Sequence, residues 1–153
     1  MKQMIKKRCL SNLTVLLVFA LMLVGCGKLE QDVNIWSGTA NLTITNVTTG
    51  ESKQNTSTYT INIGVSPTDI VFKHGDVLQL KFMPPEDYKN KSFSVDYQVL
   101  DKTATITSSP YIYEITIDDD VPVGSYVVYC SAMCEEWSEG SSCKQSIRFR
   151  VEM

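Results

Sequence analysis

The chain has 153 residues, of which 14 are Lys or Arg and 17 are Asp or Glu, for a formal charge of −3 with a single histidine. Beyond the first eight residues its cations gather only at Lys89/Lys91 and Arg148/Arg150, which is no patch for a polyanion, so nucleic acid is not expected as a partner. The G-x-S-x-G, H-E-x-x-H, Cys-x-x-Cys and Gly-rich phosphate signatures are absent, and His74 sits in a Lys-His-Gly-Asp turn, so neither an enzyme activity nor a cofactor or metal is expected.

In chain order, Lys2, Lys6, Lys7 and Arg8 make a basic start without an acid, and residues 13–24 are apolar apart from Thr14. A dozen residues at about 1.5 Å each reach about 18 Å as a helix, short of the roughly 30 Å of a bilayer core. Residues 1–25 therefore predict a secretory signal and not a membrane span. The signal ends in Leu23-Val24-Gly25-Cys26, which resembles the lipobox of bacterial lipoproteins. The resemblance implies that the Cys26 thiol takes a thioether-linked diacylglycerol, while small Gly25 lets the signal peptidase close on the bond before it. A plain signal peptide that happens to end beside a cysteine is the alternative.

Lipidation implies a permanent anchor, because two or three acyl chains at about 0.8 kcal/mol per buried methylene hold where one binds marginally. The membrane would then be a partner through the N-terminal lipid. The four leader cations leave with the signal, so ten basic residues face 17 acidic ones, a net charge of −7. Gly27 replaces the Asp that favours inner-membrane retention, which implies an outer-membrane address, on either the periplasmic or the surface face.

Residues 26–38 form the lipidated terminus and a polar tether, in which Trp36 either meets the membrane interface or packs on the domain. Beyond them, apolar residues repeat with period two, and no window keeps a helical period. Leu42 and Ile44 predict one strand and Tyr59, Ile61 and Ile63 a second, joined through Thr48-Thr49-Gly50-Glu51-Ser52 as a hairpin over 39–64. Strands are next predicted over 70–72 and 77–83, the latter stopped by Pro84-Pro85, and over 93–99, 103–107 and 111–117. Asp118-Asp119-Asp120 opens a turn before strands over 126–133 and 144–152. About nine short strands at this spacing predict an all-β, two-sheet sandwich.

Three segments between 65 and 153 resemble an immunoglobulin-like domain: Ser66-Pro67 leading an edge strand, Gly75-Asp76-Val77-Leu78-Gln79-Leu80 entering strand B, and Val121-Pro122-Val123-Gly124-Ser125-Tyr126 entering strand F. The resemblance implies an antiparallel β-sandwich with the 39–64 hairpin added. It also implies a tyrosine corner, in which the Tyr126 hydroxyl bonds back to the E–F turn. The chain departs from the antibody pattern, with Phe82 and Val128 at the two cysteine positions and Tyr97 where strand C carries Trp. A Phe82/Val128 contact would replace the inter-sheet bridge.

Three cysteines remain after Cys9 and Cys26. If Cys134 faces Cys143 across the F–G hairpin, Cys130 faces Ile147 and Val128 faces Phe149, so core meets core. This register predicts a Cys134–Cys143 disulfide with Cys130 as a buried free thiol; a Cys130–Cys143 bridge is the alternative. The F–G tip carries Glu135, Glu136, Trp137 and Glu139, and an exposed Trp there would stack on a carbohydrate or dock in a protein ligand, unless it folds back onto the sandwich. Asp118, Asp119 and Asp120 would either ligate calcium or form a solvated loop. The function expected is a non-catalytic, lipid-anchored binding or assembly module, with a structural accessory subunit working through strand edges as the alternative.

Overall fold

The computed structural model describes residues 38–58, 69–137 and 141–153. The leader, Cys26, Trp36, the Tyr59/Ile61/Ile63 alternation, Ser66-Pro67 and Glu139 lie outside them.

Alternating apolar side chains need an apolar face on one side only, and they fold as two stacked antiparallel sheets that share one core. Among the described residues the strands are β1 (Thr39–Asn46), β2 (Ser52–Thr58), β3 (Ile70–Lys73), β4 (Val77–Met83), β5 (Phe93–Val99), β6 (Lys102–Ile106), β7 (Tyr111–Thr116), β8 (Gly124–Cys134) and β9 (Cys143–Glu152). One sheet has the order β2-β1-β4-β7 and the other β3-β9-β8-β5-β6. Setting β4 and β7 against β9-β8-β5-β6 gives the B-E and G-F-C-C′ arrangement of an immunoglobulin-like sandwich. All pairings are antiparallel except β3 with β9, which run parallel.

The N-terminal hairpin is an added piece that extends a sheet. β1 pairs with β4 along Asn41–Asn46, and its Ala40, Leu42 and Ile44 are fully buried in the common core. Its partner β2 falls earlier than the predicted Tyr59/Ile61/Ile63 run, because the inward positions of β2 are polar. Asn55 and Ser57 are buried there, which period-two apolar counting does not register. Both are satisfied across the core: the Asn55 amide donates to the Ser146 carbonyl at 2.7 Å, and Ser57 Oγ accepts the Gln145 amide at 2.8 Å.

Reciprocal tyrosines tie the sheets where an antibody domain has its disulfide. The Tyr97 hydroxyl, carried on β5, accepts the Phe82 N–H at 2.8 Å and donates to the Tyr111 carbonyl at 2.6 Å. Phe82 and Tyr111 are the last facing pair of the β4–β7 ladder, so one oxygen from the opposite sheet completes that ladder. In return the Tyr111 hydroxyl accepts the Phe93 N–H at 3.2 Å and donates to the Lys91 carbonyl. Phe82 packs its ring on Phe93 and Tyr111, with Val128 in the same core. The tyrosine corner is present, since the Tyr126 hydroxyl donates to the Pro122 carbonyl.

A buried polar junction fixes one end of the sandwich. The Asn46 amide donates to Asp76 Oδ2 at 2.7 Å and to the Val71 carbonyl, while its oxygen accepts the Thr48 and Thr49 N–H groups. Asp76 also accepts the Lys73 N–H at 2.9 Å, across a turn in which Gly75 takes φ +86°. Burial alone would push the Asp76 carboxyl up, but the hydrogen bonds from Lys73, Asn46 and Thr48 hold it below the ordinary carboxylate value.

Candidate functional site

The F–G hairpin corrects the predicted register and, with it, the predicted disulfide. In the β8–β9 register Ala132 faces Cys143, Cys130 faces Gln145 and Val128 faces Ile147, a two-residue offset from the predicted pairing. Cys134 is therefore diagonal to Cys143, a relation of about 7–8 Å between Cα atoms, longer than a disulfide spans. Cys130, Cys134 and Cys143 are buried free thiols, and the expected Cys134–Cys143 bridge is absent. Burial pushes the Cys143 thiol up despite its contacts with Ser57 and Gln145, and burial with Cys143 and Asp96 nearby raises Cys130 strongly. Cys130 and Cys143 are thus thiols held protonated, without the thiolate character that reactive cysteines need.

Of the two placements open to Trp137, the structure has it folded back onto the sandwich, only 5% exposed. Its ring stands edge-on to Phe93 at 5.4 Å and to Tyr88 at 5.7 Å, plugging the sandwich end. Glu135 and Glu136 remain exposed beside it, and Glu136 pairs with Lys91 at 2.6 Å. The loop thus offers carboxylates, without an exposed aromatic platform.

Two other candidate residues have local partners. Asp118 accepts the Lys102 ammonium at 3.1 Å, and Asp119 and Asp120 are exposed; among the described residues no cluster of three or more potential metal ligands forms. His74 donates Nε2–H to the Val121 carbonyl at 2.8 Å, joining the β3–β4 turn to the E–F turn.

The most developed concave surface lies on the outer face of the five-stranded sheet. Inward residues of β8 alternate with Val127, Tyr129, Ser131 and Met133, which face out. Strand register aligns these with their neighbours in cross-strand rows. Thr105, Asp96, Ser131 and Lys144 form one row over β6, β5, β8 and β9, and Thr103, Gln98, Tyr129 and Ser146 form the next. Thr105 Oγ1 donates to Asp96 Oδ1 at 2.6 Å, fixing the carboxylate against the sheet.

A groove of about 410 Å³ follows these rows, with Tyr129, Ala104, Gln98 and Lys144 among its walls. A separate groove of about 340 Å³ is lined by Met133, Ser94 and Thr107 among others. Tyr129 is 56% exposed and Met133 44%, the two large side chains of β8 that the core does not take. Sequence inspection assigned the inward face of this strand and left Tyr129 and Met133 unremarked. The available signal was a large aromatic at an outward position of an otherwise polar face.

No protein-family model matches this sequence, and no curated protein matches it either.

Proposed function

We propose that this chain is a lipid-anchored protein of the bacterial cell envelope, delivered to the outer membrane on acyl chains at Cys26, and that its sandwich is a non-catalytic binding or assembly module. The basic start, the apolar segment and Leu23-Val24-Gly25-Cys26 stand in the order that lipoprotein processing requires, which supports the anchor. The observation that carries the binding role is the pair of exposed side chains, Tyr129 and Met133, each lining a groove on the outer sheet face. Concave surfaces with an apolar anchor and a few convergent polar groups are where small ligands and partner segments lodge.

Two measurements test the proposal. Radiolabelled palmitate should enter the wild-type chain and not Cys26→Ala, and the variant should leave the membrane fraction; label retained in Cys26→Ala sinks the anchor. A photo-crosslinking amino acid in place of Met133 should give adducts in intact envelopes that the same substitution at Glu114, on the other sheet, does not. Equal yields at both sites would remove the outer face as the binding surface. An accessory role through strand-edge pairing is favoured by β6, whose residues Lys102, Thr103 and Thr105 are exposed along the end of the five-stranded sheet. Under it, Ala104→Pro would abolish complex assembly while Tyr129→Ala leaves it intact.

A further inference from the structure

The groove beside Tyr129 has a lining specific enough to name a ligand class, provided the outer face is the binding surface argued above. Its charged walls are one Asp96 and one Lys144, so its formal charge is zero. An anionic ligand would call for several cations and a metal ion for several carboxylates, and the groove has one of each. What remains is a set of neutral hydrogen-bonding groups, from Gln98, Thr103, Thr105 and Ser131, around a tyrosine ring.

The ring itself stands proud of its surroundings. Its facing residues on the adjoining strands are Gln98 and Ser146, both polar and neither aromatic. Such a shelf, flat and apolar on its face and ringed by donors and acceptors, complements a pyranose, whose C–H face is apolar and whose rim is hydroxyl. Tyrosine is suited to this because it offers a rigid amphipathic surface with few rotamers to freeze. A protein partner would want several clustered aromatic or Arg anchors, whereas the residues around Tyr129 are short and polar, and Arg148 and Arg150, in the rows beyond, pair with Asp69 and Glu152. The volume of about 410 Å³ lies in the range of small-ligand sites.

We propose that this groove binds a neutral saccharide, with one sugar ring stacked on Tyr129 and its hydroxyls bonded by Asp96, Gln98 and Thr105. The Thr105 hydroxyl donates to Asp96 Oδ1 at 2.6 Å, leaving the other carboxylate oxygen to accept from a sugar hydroxyl.

The test uses the full-length chain in a zwitterionic detergent without a sugar headgroup, titrated calorimetrically with cellohexaose, maltohexaose, xylohexaose, mannohexaose and chitohexaose. At least one should bind at millimolar concentration or below. Tyr129→Ala should then weaken that binding by about tenfold or more, Tyr129→Phe should stay within about threefold, and Asp96→Asn should weaken it without moving the denaturation midpoint. No heat with any of the five sugars, or binding that Tyr129→Ala and Asp96→Asn leave unchanged, overturns the saccharide. If the sugars fail while the crosslinker at position 133 still gives site-specific adducts, the ligand class is wrong and the binding face stands. If both fail, the face falls with it.

Discussion

Replacing Tyr97 by Phe removes one oxygen atom from a side chain that is 1% exposed, and leaves the ring to fill the same space. That oxygen serves two backbone groups, the Phe82 N–H at 2.8 Å and the Tyr111 carbonyl at 2.6 Å, at the end of a ladder in the opposite sheet. A buried donor or acceptor left alone costs about 1–3 kcal/mol, in place of the net 1 kcal/mol or so that its hydrogen bond contributed. With two backbone groups orphaned the variant should lose about 2–6 kcal/mol, a large part of the roughly 5–15 kcal/mol that holds a typical domain. With an unfolding entropy of about 2 cal/mol/K per residue, a loss near the middle of that range lowers Tm by roughly 15 °C. Urea titration followed by far-UV circular dichroism measures it as a fall in midpoint at unchanged slope. Tyr129→Phe is the control, since its hydroxyl lies on an exposed side chain and its loss should stay within about 0.5 kcal/mol. If Tyr97→Phe also stays within about 0.5 kcal/mol, the hydroxyl bridge does not hold the sheets together and the tether described above is wrong.

Three further outcomes follow from the packing. The Asp76 carboxyl is held below its unfolded value by its hydrogen bonds, so it contributes stability above about pH 4 that is lost as pH falls through the lowered pKa. Asp76→Asn should flatten the acid limb of stability against pH, and an unchanged limb would remove Asp76 from the account. Trp137→Ala should cost about 3–5 kcal/mol in chemical denaturation, the range for a buried aromatic truncated to Ala, and a near-silent substitution would return Trp137 to the surface. Cys130, Cys134 and Cys143 should resist an aromatic disulfide reagent in the native state and react together on unfolding; two thiols missing from the unfolded, non-reduced count would restore the bridge.

The site and the fold differ in how far they were visible beforehand. Tyr126 announced the tyrosine corner because a local motif, Gly124-x-Tyr126, makes a local hydrogen bond to Pro122. Tyr97 was noticed only as a missing Trp, since its partners Phe82 and Tyr111 come from a different sheet. Trp137 stayed open between two placements for the opposite reason: its sequence neighbours are acidic, while its spatial neighbours are Phe93 and Tyr88. Tyr129 acquires meaning only when Gln98, Ser131 and Asp96 are set beside it by pairing.

Alternation in the sequence alone determined that the described part of the chain is all-β, and it placed strands over Val77–Met83 and Phe93–Val99 at their observed bounds, because period two is a property of one strand and needs no partner. Pairing was left to the tertiary structure. A slip of two residues keeps every inward side chain inward, so apolar pattern cannot separate Cys134 facing Cys143 from Ala132 facing Cys143, and only the assembled core selects the second. The same holds for β2, whose Asn55 and Ser57 face inward because β9 supplies the Ser146 carbonyl and the Gln145 amide that make polar burial stable.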